Sequence, residues 1–143
     1  MDIRALFLGT GDFKSRDEII RMLSRENNSG FPLVDANKAE ALLIFQTYKQ
    51  QTWLVADAHG LYCVLDDFDR SFTRAQWFIP YNDLIKDGNI VGLKTTENSE
   101  NTGLLNIGPR RNWLFSKKLF TSEDIESSIK RLVNLNVSMG MSP

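Results

Sequence analysis

A chain of 143 residues with 42% hydrophobic and 24% charged content is about one domain of globular protein, which excludes disordered and fibrous chains. Its formal net charge of −1 divides into 8 Lys/Arg against 11 Asp/Glu over residues 1–71 and 9 against 7 over residues 72–143. Neither half is unbalanced enough to require nucleic acid or an acidic membrane as its partner, and no nucleic acid is expected.

Cys63 is the single cysteine, so no intramolecular disulfide can form and a reducing compartment is expected. The first apolar run stops at Leu8, too early for a signal-peptide core, and no stretch approaches the ~20 apolar residues of a membrane span. The expectation is a cytoplasmic protein without a transmembrane segment.

Residues 3–8 fit a short strand or the lead-in to a helix equally well. Gly9-Thr10-Gly11 follows, but a dinucleotide fingerprint would need its third glycine at Lys14, so the triplet reads as a turn. Ser15-Arg16-Asp17-Glu18 is a capping box, and Ile19, Ile20 and Leu23 put an apolar side on a helix that runs to about Arg25. Asn27-Asn28-Ser29-Gly30 ends it and Phe31-Pro32 prevents its resumption.

Leu42 to Thr47 is the first long strand. Two β-rich runs across Gln51–Asp67 flank the turn Asp57-Ala58-His59-Gly60 and predict a hairpin. Asp69 to Thr73 reads as a polar connection. Ala75–Ile79 is a fourth strand that Pro80 stops, and Ile90–Thr96 follows the turn at Lys86-Asp87-Gly88-Asn89 as a fifth. Gly103–Gly108 and Asn112–Phe120 supply a sixth and a seventh, joined to their neighbours by polar turns. Ile125, Ile129, Leu132 and Val133 fall on one face of a last helix over about Ser122–Asn136, with a frayed tail over 138–143.

Candidate chemistry is sparse. His59, the one histidine, stands two residues from Asp57 with no nucleophile beside it, and reads as a solvated turn residue. Cys63 alternates with Leu61 and Leu65, which predicts a buried inert thiol. Asp66, Asp67 and Asp69 lack the glycine and distal glutamate of a calcium loop and read as a solvated acidic turn. Trp53, Trp77 and Trp113 all lie in predicted strands, and at least two should be core. Arg110, Arg111, Lys117 and Lys118 surround Trp113-Leu114-Phe115. This basic-aromatic edge is the best candidate for a partner-binding surface. No catalytic set, metal site or cofactor site is expected.

The strand ending at Phe45, the T-W-L-V-A-D hairpin into L-Y-C-V-L, the A-Q-W-F-I-P strand followed by Asp83-Leu84-Ile85, two further hairpin arms and a closing helix resemble a bacterial pleckstrin-homology-like (PH-like) domain over residues 39–136. The family's pattern at its second and third strands is matched at Trp53-Leu54-Val55 and Gly60-Leu61-Tyr62, and departs where Gly60 replaces a usual arginine.

The resemblance implies an α+β fold. It would be a bent antiparallel sheet or partly open barrel of about seven strands over 37–137, capped by the C-terminal helix, with residues 1–36 as a helical extension packed on it. It also implies a non-enzymatic module for a protein or peptide partner, bound at the basic-aromatic edge or by strand addition. Three alternatives stand beside this reading: an immunity or antitoxin-type protein that neutralises a cognate enzyme, a lipid-headgroup binder, and a small enzyme using the Asp57/His59 turn. Headgroup binding ranks below protein binding because Tyr48-Lys49-Gln50-Gln51, between the first two long strands, carries one positive charge.

Overall fold

The computed structural model describes residues 15–25, 30–67, 72–108, 112–120 and 122–140. The fold is α+β: antiparallel sheets with a C-terminal helix, and no closed barrel among the described residues. Helix α1 spans Arg16–Arg25, and its capping box is in place. Ser15 N donates to Glu18 Oε1 and Glu18 N donates to Ser15 Oγ, each at 3.2 Å.

Strands β1 (Glu40–Gln46), β2 (Gln50–Ala56), β3 (Gly60–Asp67) and β4 (Phe72–Pro80) form a four-stranded meander. A single helical turn, α2 (Tyr81–Leu84), leads to the short ribbon of β5 (Ile85–Lys86) and β6 (Asn89–Ile90). Strands β7 (Lys94–Glu97), β8 (Thr102–Asn106) and β9 (Asn112–Ser116) make a second, three-stranded sheet. Helix α3 (Ser122–Gly140) closes the chain and buries Ile125, Ile129, Leu132 and Val133. No helix among the described residues is long and apolar enough to cross a membrane.

Two apolar clusters lie on opposite faces of the four-stranded sheet. Leu54, Ala56, Leu61, Cys63, Trp77 and Ile79 face Leu105, Phe115 and the apolar side of α3. Trp53, Val55, Tyr62, Val64 and Ala75 face Ile19, Ile20 and Leu23 of α1 together with Val34 and Ala39. Strands with both faces covered read as nearly continuous apolar runs, as Trp53–Ala56 and Leu61–Leu65 do.

Two β-bulges set which side chain joins which cluster. Leu43 pairs with Trp53 and Phe45 with Thr52, leaving Ile44 as the extra residue of β1. On the other side Cys63 pairs with Trp77 and Val64 with Ala75, leaving Gln76 as the extra residue of β4. A bulge reverses the alternation beyond it. Ala75 therefore packs under α1 while Trp77, two residues on, enters the opposite core.

Several expected boundaries move. The fourth strand starts at Phe72, so the connection expected over 69–73 is largely strand where it is described. The fifth is divided into β6 and β7, because Gly92 turns the chain at φ 69° and a Cβ there would stand 2.7 Å from Gly108 O. The seventh ends at Ser116, where Leu119 N bonds back to Ser116 O at 3.0 Å in a turn. The helix expected to stop at Asn136 before a frayed tail continues to Gly140, since nothing from Val137 to Met139 breaks it. Residues 3–8, Gly9-Thr10-Gly11 and the positions 141–143 lie outside the described residues.

Gly60 stands where β3 begins beside the end of β4. A Cβ at this position would lie 2.3 Å from Ile79 O and 2.9 Å from Phe78 Cε1, so no side chain fits where β3 meets the end of β4.

Burial of a large apolar side chain contributes about 1.5–3 kcal/mol, so the α1 face is a substantial part of the fold's stability. The ion pair of Arg16 with Glu40 is exposed on both sides and adds at most about 1 kcal/mol. Ile19→Ala is expected to destabilise the protein by about 2–5 kcal/mol in urea unfolding. Arg25→Ala, at an exposed position, should stay within about 0.5 kcal/mol of wild type.

Candidate functional site

Strand β9 brings the predicted basic-aromatic edge onto the fold, and alternation sorts its residues. Trp113 and Phe115 point toward the four-stranded sheet, where Phe115 is buried and Trp113 half-buried, while Leu114 faces outward. Lys117 pairs with Glu97, which commits one of the predicted cations within the domain. Lys118 is exposed in the turn after β9. Arg110 and Arg111 lie outside the described residues.

Inward, the Trp113 ring packs on the Trp77 ring with centroids 4.2 Å apart and a tilt of 37°. Such a pair contributes about 0.5–1.5 kcal/mol beyond its burial. The two indoles border a cleft of about 400 Å³, whose other lining residues are Thr52, Cys63, Leu65 and Gln76. Cys63 and Trp77 are buried, and exposed Gln76 marks the mouth.

Burial pushes the Cys63 thiol well above the usual range, so it is a poor nucleophile at neutral pH. Trp77 Nε1 is buried and finds no acceptor among the described residues. A donor left in that condition costs about 1–3 kcal/mol. Trp53 differs: its Nε1 donates to Gln51 Oε1 at 3.2 Å.

A second constellation surrounds the β2–β3 turn. Asp57, expected in a solvated turn, is 0% exposed. Its Oδ1 accepts from His59 N at 2.8 Å and from Gly60 N at 3.3 Å. Its Oδ2 accepts from Asp35 N at 2.9 Å, lies 2.9 Å from His59 Nδ1 and accepts from the Tyr62 hydroxyl at 3.5 Å. Tyr62 also donates to Pro32 O at 3.1 Å, and the Tyr81 hydroxyl donates to Asp57 O at 2.5 Å.

The segment over 31–35, folded across the sheet, is what removes the carboxylate from water. His59 keeps a partly exposed ring. Its Nδ1 faces a carboxylate whose oxygens are also held by Asp35 N, His59 N and Gly60 N, which fixes the ring's position.

Asp66 and Asp67 are likewise buried, contrary to the solvated acidic turn expected of them. Thr73 Oγ1 donates to Asp66 Oδ1 at 2.7 Å and Gln50 Nε2 to Asp67 Oδ2 at 3.4 Å. Asp69 lies outside the described residues. Thr52, Leu65 and Gln76 escaped the sequence reading as cleft residues. The available signal was Gln76, a polar residue between Ala75 and Trp77 in a strand otherwise read as core.

Two measurements check the Asp57 arrangement. Asp57→Ala leaves several buried donors without an acceptor and is expected to cost about 3 kcal/mol or more in chemical unfolding. Burial, and then the negative charge of Asp57, hold the Tyr62 and Tyr81 phenols above their ordinary range near 10.0. A group whose folded pKa is raised contributes its stability in full below the unfolded value and loses it as pH climbs. Unfolding free energy should therefore fall as pH rises beyond about 10. The Tyr62→Phe, Tyr81→Phe double variant should flatten that alkaline decline. No family model, no curated protein and no solved structure matches this chain.

Proposed function

We propose that this chain is a non-enzymatic interaction module that binds a protein or peptide partner along the outer side of β9, and that its four-plus-three arrangement of strands closed by α3 is PH-like. One observation carries the reading: β9 is laddered to β8 on one side and lies against β1 on the other, which leaves its outward face as the exposed part. It and its following turn display Leu114 at 38% and Leu119 at 41% exposure beside exposed Lys118. Near β1 the contact with β9 includes a bond from Gln46 N to Ser116 Oγ at 3.2 Å, a side-chain bridge to the neighbouring sheet.

A peptide laid along that outward face would cover the exposed leucines with its own apolar side chains. Lys118, with Arg110 and Arg111 just ahead of β9 in the chain, favours an acidic segment and would raise its rate of encounter. Lys117 is excluded from this set because it is occupied with Glu97. Trp113 contributes from beneath, by seating the strand on Trp77.

Selection of a displayed random-peptide library on the folded protein tests this. Enriched peptides should combine acidic residues with aliphatic ones, and should lose about tenfold or more in affinity for the Arg110→Glu, Arg111→Glu, Lys118→Glu variant. Failure to enrich any sequence, or equal binding to the folded variant, would overturn the assignment.

A further inference from the structure

We propose that α1 and residues 30–39 form a cover that lifts off the four-stranded sheet as one unit, released at Asp57, while the rest of the fold stays closed. The sheet has a separate core on each face. Among the described residues, α3, β8 and β9 complete the core of one face and contribute nothing to the cluster under α1. Lifting α1 therefore uncovers Trp53, Val55, Tyr62 and Val64, and leaves Leu54, Leu61, Trp77 and Phe115 packed as before. Layers that share no side chains can open separately, as cooperative units of different stability.

The cover is held together by bonds of its own. The Ser15–Glu18 capping box closes one end of α1, and Val34 N donates to Leu23 O at 3.1 Å near the other. The turn that follows is closed by Lys38 N to Asp35 O at 3.0 Å and Asn37 N to Asp35 Oδ1 at 3.1 Å. Its fastening to the sheet gathers at one corner, where Asp35 N donates to Asp57 Oδ2 at 2.9 Å and the Tyr62 hydroxyl donates to Pro32 O at 3.1 Å. The exposed Arg16–Glu40 pair adds little.

The two oxygens of Asp57 divide the work. Oδ1 serves the β2–β3 turn through His59 N and Gly60 N, and Oδ2 serves the cover through Asp35 N. The latch can therefore be cut without the turn. In Asp57→Asn the remaining carbonyl oxygen still accepts the two turn amides, whereas the new amide NH₂ meets Asp35 N donor to donor. Neutral His59 and the Tyr62 hydroxyl can each accept from that NH₂.

The tryptophans report on the two layers separately, since Trp53 lies in the cluster under α1 while Trp77 and Trp113 pack in the opposite core. Urea unfolding of the full chain labelled with 5-fluorotryptophan, followed by ¹⁹F NMR, reads each of them by itself. Trp53 should leave its native position at lower urea than Trp77 and Trp113. Asp57→Asn should raise the opening constant read at Trp53 about tenfold or more, and leave the later transition of Trp77 and Trp113 where it was.

Tyr62→Phe keeps the ring against Phe78 and removes the bond to Pro32, so it should move the Trp53 transition in the same direction. It decides the matter should Asp57→Asn not fold. All three signals leaving together in wild type and in the folded variants, or a Trp53 transition that no folded variant moves, would overturn the cover.

Discussion

The buried carboxylate of Asp57 is the contact on which the arrangement of this molecule turns. A carboxylate removed from water is unfavourable unless its oxygens are bonded, and here donors come from three separate stretches of chain. The turn itself supplies His59 N and Gly60 N, the segment after α1 supplies Asp35 N, and β3 supplies the Tyr62 hydroxyl. Its own carbonyl receives Tyr81 from the far end of β4. One residue therefore fixes where the α1 segment crosses the sheet and where the meander hands over to α2. Local turn chemistry and long-range packing are the same interaction, and its members gain from being satisfied together.

That tie explains why the four-stranded sheet can be apolar on both faces. With α1 and residues 31–39 held over one face, Trp53, Val55, Tyr62 and Val64 have a core of their own. The two bulges then distribute side chains between the layers. Were Gln76 an ordinary ladder residue and not a bulge, strict alternation would place Ala75 and Trp77 on one face, and the Trp77–Trp113 contact that seats β9 would be lost.

Elements that declare themselves locally were legible in the sequence: the Ser15–Glu18 capping box, the hairpin around Asp57–Gly60, and the apolar stripe from Ile125 to Val133. Each depends on residues within a few positions of one another, so the chain carries the signal without its tertiary context. What was not legible depends on a distant partner. Burial of Asp57 requires Asp35, and that of Asp66 involves Thr73 across the sheet. The division of the expected fifth strand depends on the crossing at Gly92, whose neighbour Gly108 lies in another hairpin. The basic-aromatic edge was legible as a cluster, while its division into an inward Trp113, a paired Lys117 and an outward Leu114 and Lys118 was not. Strand direction, twist and the position of Glu97 decide that division, and none is written in residues 112–118.

Strand β9 thus carries two kinds of surface back to back. Its inward side is rigid and aromatic, resting on Trp77 over a mixed core. Its outward side is aliphatic and cationic, with one ladder instead of two. The inward contacts limit how far β9 can move, and the Gln46 N–Ser116 Oγ bond ties it to β1, so the exposed Leu114 and Lys118 stand on a strand held from beneath and from one side. Any partner covering them would lose less conformational entropy on binding than one that met a loose loop.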